Sequence, residues 1–248
     1  RESFLLLNNA LLVAAAGLIL LGTLWPLIMD SFNLGKISVG PPYFNTVFLV
    51  PTLPLVALVA VGMHATWKRA SYASKGRVLT YMALGGLALG ALIAFVCYGS
   101  YGVPLTIIGF GGGFFLMASA AWEPVLRLIR RQAQTRAAVG MAVAHFGIGM
   151  FVIGVSGVAS YKIEKDVRMG PGDTATIAGY TFRFDSTNDA RGPNYQAREA
   201  HVSITSDGKP VADLTTQKRQ FKVQSMPMTH AGITVAWNRD LFVALGDE

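Results

Sequence analysis

Five long apolar runs fill residues 1–159, and each is separated from the next by a short loop rich in polar, Gly or Pro residues. They cover roughly residues 4–25, 46–66, 78–97, 104–122 and 137–159. Each approaches or exceeds the ~20 residues that cross ~30 Å of hydrocarbon, so each predicts a transmembrane helix. After residue 159 the pattern changes. Tyr180-Thr-Phe-Arg-Phe-Asp185 alternates apolar and polar positions, Ala200, Val202 and Ile204 alternate on a second run, and Ser206-Asp-Gly-Lys-Pro210 has turn chemistry. Residues 233–237 and 241–244 read as further short strands. The expected fold is a polytopic α-helical membrane region of about five helices over residues 1–159. A C-terminal all-β domain, a small sandwich or barrel, follows over residues 160–248.

Composition sharpens the division. The chain has 248 residues, 52% of them hydrophobic and 14% charged, against roughly 25% charged in soluble domains. Up to residue 159 the only acids are Glu2, Asp30 and Glu123, whereas from Tyr161 onward acids and bases balance at 11 each. The net charge of +7 therefore resides in the apolar part. It gathers in two loops. Residues 67–77 carry Lys68, Arg69, Lys75 and Arg77, and residues 127–136 carry four arginines, with no acid in either. Basic loops two spans apart lie on one side of the membrane, the cytoplasmic side by the positive-inside rule. The β domain is then expected outside, in the periplasm of a bacterium. Such a charge distribution follows topology and gives no basic stripe on a soluble face, so nucleic acid is excluded as a partner. The lone Cys97 forms no internal disulfide and no CxxCH motif is present.

His145 is the main candidate for chemistry. It lies about eight residues into the fifth run, and an ionisable side chain inside a span is costly enough to suggest function. Neutral imidazole is a common axial ligand of haem iron. Met141, Ala142 and Gly149 share its helical face at offsets of three and four, where small residues would admit a flat macrocycle. An interhelical hydrogen bond from His145, with small residues serving helix packing, is the alternative. His64, beside Trp67-Lys68-Arg69, reads as an interfacial anchor, and His201 as a solvated strand residue. Met226, Met228 and His230 lack a fourth ligand for a soft-metal site and read as an ordinary loop. Gly111-Gly-Gly113 has no Lys-Ser/Thr after it and suits close helix packing rather than phosphate binding. Ser38-Val-Gly-Pro-Pro-Tyr-Phe-Asn45 predicts a stiff interfacial loop, either a membrane-surface turn or one wall of an outer groove.

An ordered set of motifs carries a family resemblance across the chain. It comprises Arg1-Glu-Ser-Phe-Leu-Leu-Leu-Asn-Asn9, Leu21-Gly-Thr-Leu-Trp-Pro26, Ser38–Asn45, Ala144-His-Phe-Gly147, Glu164-Lys-Asp-Val-Arg168, Gly192-Pro-Asn194, Lys218-Arg219 and Arg239-Asp-Leu-Phe-Val-Ala-Leu-Gly246. Together they resemble the C-terminal part of the CcmF family, the haem lyase subunit of the bacterial cytochrome c maturation system. The resemblance implies covalent attachment of haem to apocytochrome c in the periplasm. Haem would arrive on the chaperone CcmE, and a CcmH-type partner would present the thiols. It also implies a haem b held among the spans, with His145 matching the family's Ala-His-(Leu/Phe)-Gly histidine as an axial ligand. The family's tryptophan-rich haem-handling segment, its other haem-ligating histidines and its last span do not occur here. The resemblance thus implies one piece of an inner-membrane lyase that is not competent alone. Two rivals remain, a membrane-anchored scaffold whose β domain binds partner proteins, and a transporter half. The second is disfavoured by the scarcity of charges within the spans.

Overall fold

The computed structural model describes residues 2–35, 37–64, 75–98, 104–222 and 227–246. The chain divides into two compact units, Arg1–Lys162 and Ile163–Glu248. The first contains five helices, α1 (Glu2–Ser31), α2 (Pro41–Gly62), α3 (Gly76–Tyr98), α4 (Pro104–Ile129) and α5 (Arg136–Tyr161). All five are long and apolar enough to cross a membrane, and the chain is a multi-pass membrane protein.

Local sequence sets where these helices begin. Pro41 and Pro42 occupy the first helical positions of α2 after Gly40, where the missing N–H costs nothing and the fixed φ suits a helix. The expected loop over Ser38–Asn45 is therefore helical from Pro41 onward. Tyr43, in that first turn, lies against Gly22 of α1 and donates its hydroxyl to the Leu18 carbonyl at 2.9 Å. A Cβ on Gly22 would stand 2.3 Å from the Tyr43 ring, so glycine is what admits the contact. At α5, Thr135 caps the start by accepting a hydrogen bond from the Ala138 N–H at 3.2 Å.

Helix α4 is the hub, because its glycines face two ways. Toward α3, Gly111 meets Gly86 and Gly90, and a Cβ on Gly86 would stand 2.7 Å from the Gly111 carbonyl oxygen. Toward α5, Gly109 sits against Ser156, and Gly113 against Gly149 and Ile153. Water contributes no driving force inside a bilayer, so close backbone approach is what such helices gain from packing. The expectation of close packing at Gly111-Gly-Gly113 matches these contacts. Val56 and Ala60 of α2, Leu79 of α3 and Phe115 and Leu116 of α4 form the buried apolar cluster.

The second unit is an antiparallel meander in the order β1-β2-β3-β4-β5, formed by β1 (Thr174–Ile177), β2 (Tyr180–Arg191), β3 (Tyr195–Ser206), β4 (Lys209–Phe221) and β5 (Met228–His230). A separate hairpin joins β6 (Gly232–Ala236) and β7 (Arg239–Val243). Two tight turns carry positive φ at both central residues, Ala178-Gly179 and Asp207-Gly208, the conformation that matches the twist of paired strands. The register places Val202, Ile204 and Leu214 on one face, where they pack with Leu241 of β7. That is the inner layer of a small sandwich. Gly232 lets β6 cross β4 closely, since a Cβ there would stand 2.8 Å from the Thr215 carbonyl.

A bulge in β2 between Phe184 and Ser186 leaves Asp185 off the ladder. Partial desolvation raises its carboxyl. Hydrogen bonds from Ser203 and Arg183 outweigh that and hold it below the usual carboxylate range.

Substituting Gly113→Val should separate α4 from α5, because a Cβ at that position would lie 2.8 Å from the Gly149 carbonyl. Overpacking of this kind costs about 1–3 kcal/mol, so the variant should melt at lower temperature in detergent. Unchanged melting would show that this contact does not hold the bundle.

Candidate functional site in the helical unit

His145 occupies the third turn of α5. Counting from Arg136, it lies about 14 Å along the helix at 1.5 Å per residue. Its ring is half-buried. Nδ1 lies 2.7 Å from the Met141 carbonyl oxygen, one turn earlier on the same helix. A carbonyl can only accept, so Nδ1 carries the proton and donates it. With Nδ1 committed to that carbonyl, Nε2 is the ring nitrogen left for another contact. A histidine fixed in this tautomer by a hydrogen bond from its other nitrogen is how proteins present imidazole to a metal. The donor chemistry thus fits haem iron.

The neighbours expected to line the same face divide between two tasks. Met141 is exposed and Ala142 half-buried beside His145. Gly149 is buried in the α4 contact, where a Cβ would stand 2.6 Å from Met117 Cγ and 2.8 Å from the Gly113 carbonyl. Its missing side chain is used up by a helix, which leaves no surface there for a macrocycle. Gly149, Val152 and Ser156 follow His145 at offsets of four, seven and eleven, on one stripe of α5. His145 therefore continues the stripe that docks on α4, one turn beyond the close contact.

His64 behaves differently. It is not an interfacial anchor but a buried clamp, 9% exposed. Its Nε2 lies 2.8 Å from Ser119 Oγ of α4, and that hydroxyl donates to the Ala60 carbonyl of α2. The single hydroxyl proton is spent on Ala60, so Ser119 accepts from His64 Nε2–H. One turn further along α4, Glu123 accepts from Lys75 at 2.7 Å, immediately before α3. The two contacts tie the ends of α2, α3 and α4 together with polar groups satisfied, as hydrocarbon requires. Ser119 and the pairing of Lys75 with Glu123 were not legible in the sequence. Glu123 was the available signal, being the only acid between Asp30 and residue 160. Trp67, Lys68 and Arg69 lie outside the described residues.

In the β unit, His201 faces away from Ala200 and Val202 as expected, yet it is partnered rather than free in solvent. Its Nε2 is 3.2 Å from Glu199 Oε1 and its Nδ1 is 3.2 Å from Thr215 Oγ1. Glu199 also accepts from Gln217, which in turn accepts from Arg219 Nε at 2.7 Å. Arg219 lies over the Tyr195 ring, 4.6 Å from its centroid. Met228 and His230 belong to β5, where the His230 carbonyl accepts from Thr216 at 3.0 Å. Met226 lies outside the described residues. Among the described residues no group of three His, Cys, Asp or Glu side chains could hold a metal ion.

Known proteins resemble the chain over both units. Residues 160–248 match the family described as the CcmF C-terminal beta-sandwich. The cytochrome c-type biogenesis protein CcmF of Pseudomonas aeruginosa is 38% identical over 257 residues, covering 100% of this chain and 38% of the relative. The CcmF of Escherichia coli K12 is 36% identical, again over 100% of this chain and 38% of its own length. A solved structure of the cytochrome c haem lyase CcmF superposes with a TM-score of 0.71 at 20% identity, covering 96% of this chain and 38% of that one. In sequence and fold the chain is similar to the C-terminal part of these CcmF proteins. The chain spans well under half the length of these CcmF relatives.

Ser119→Ala removes both bonds of the His64 clamp. Interhelical hydrogen bonds in membranes contribute about 0.6 kcal/mol each, rarely above about 1.7. The variant should therefore melt slightly lower in detergent, and unchanged melting would show that the clamp does not hold these helix ends.

Proposed function

We propose that the chain forms the C-terminal part of a cytochrome c haem lyase, and that His145 provides an axial ligand to a haem b among the transmembrane helices. The observation that carries this reading is the Nδ1–H hydrogen bond to the Met141 carbonyl, which leaves Nε2 as a Lewis base on a half-buried surface. Haem b, when bound, would supply an electron to reduce incoming haem. The protein's own part is to fix the orientation of the imidazole through the Nδ1 hydrogen bond to Met141. Met141 and Ala142 would lie beside the macrocycle, and Gly149 would set the spacing of α5 from α4. The opposite ligand would come from outside this chain.

Orientation completes the reading. The basic loops over residues 67–77 and 127–136 support a cytoplasmic side. The β unit would then stand in the periplasm of a bacterial inner membrane. There apocytochrome c, the haem chaperone CcmE and a CcmH-type thiol-presenting subunit would meet it. The relatives' name, cytochrome c-type biogenesis protein, supports these partners as a class.

In a full-length CcmF-family protein carrying this chain, His145→Ala should abolish the b-type Soret band while leaving expression and membrane insertion intact. Haem retained at the parental level and spectrum would remove His145 from the iron. The chain would then read as a scaffold whose β unit captures partner proteins.

A further inference from the structure

The β6–β7 hairpin presents its two faces very differently. Leu241 and Gly232 turn inward and are buried, the former in the core and the latter against β4. The outer face carries a row of large apolar side chains. Ile233 pairs with Phe242 across the ladder, Val235 follows on the same face, and Trp237 stands in the connecting turn. Their exposures are 55%, 58%, 76% and 97%. A tryptophan almost fully in contact with solvent, at the end of an apolar ribbon, is a costly arrangement in water.

We propose that the tip of this hairpin seats in the headgroup layer of the phospholipid bilayer that the helices cross. Three observations select a lipid surface. First, residues 162–173 tie β1 directly to the end of α5. Even fully extended, that segment reaches at most about 40 Å, so a bilayer surface is always close at hand. A tethered contact gains from the resulting effective concentration and needs little intrinsic affinity. Second, the row is narrow. Four side chains on a two-stranded ribbon fall well short of the roughly 800 Å² per partner of a stable protein interface, whereas a few aromatic and aliphatic groups suffice at a membrane surface. Third, tryptophan is the residue that interfaces favour, and the helices also carry Trp25 and Trp122. Asp240, opposite Val235 on the outer face, limits the depth, since a carboxylate resists entry into hydrocarbon. Arg239 does not add to the outer face, because its guanidinium lies over the Tyr180 ring, 4.7 Å from the centroid. The contact is therefore shallow, with Trp237 foremost.

The test uses a full-length CcmF-family protein carrying this chain, in nanodiscs of phosphatidylethanolamine and phosphatidylglycerol, with its native cysteines replaced by serine. A nitroxide is placed at Val235→Cys and, in a second sample, at Asp207→Cys in the exposed β3–β4 turn. Collision with oxygen and with a water-soluble nickel chelate is read by power saturation. The label at 235 should favour oxygen over nickel, and the label at 207 should favour nickel. The proposal fails if position 235 matches position 207, which would leave the hairpin in water. It fails equally if position 235 is shielded from both reagents, which would mean that protein covers it.

Discussion

Hydrocarbon gives helices nothing to gain from hiding apolar surface, so this bundle depends on how closely its backbones can approach. Helix α4 makes that possible in two directions at once, with Gly111 turned to α3 and Gly109 and Gly113 to α5. The polar contacts of the bundle follow from the same closeness. Ser119 reaches the Ala60 carbonyl and His64 reaches Ser119 because α2 and α4 are near neighbours. Thr106 and Ser160 meet at 2.6 Å between α4 and α5. Each pair satisfies groups that lipid could not.

Two histidines in one bundle thereby take opposite tasks. His64 spends Nε2–H on a serine of another helix, and its ring is enclosed. His145 spends Nδ1–H on its own helix, which holds the ring without committing it to a neighbour. Bonding within the helix positions the imidazole and leaves Nε2 basic, and this difference supports reading one residue as structural and the other as a ligand. The same stripe of α5 that docks on α4 through Gly149 carries His145 one turn further, so the packing of α5 also sets the placement of the ring.

Much of the fold could be read from the chain, because the strongest signals were physical necessities. Twenty-residue apolar runs have few alternatives to spanning helices, and Asp207-Gly208 between alternating runs has few alternatives to a tight hairpin. The start of α2 was harder to read. Two prolines suggested a loop, whereas position-specific tolerance at a helix start places them inside the helix. The Ser119 clamp was invisible because a serine among alanines gives no sign of which helix it will meet. Gly149 illustrates the remaining ambiguity. Small residues on a helix admit a cofactor and a neighbouring helix equally well, and only the location of Gly113 and Met117 decides between them. The pairing of His201 with Glu199 and Thr215 likewise depended on cross-strand register.

The central claim is that Nε2 of His145 is a ligand position defined by the surrounding helices rather than a general polar need. Imidazole rescue tests it most directly. In a full-length CcmF-family protein carrying this chain, His145→Gly should lose its transmembrane haem and regain the parental spectrum when free imidazole is added. A variant that keeps its haem without imidazole, or that stays haem-free with it while remaining folded, would contradict the account.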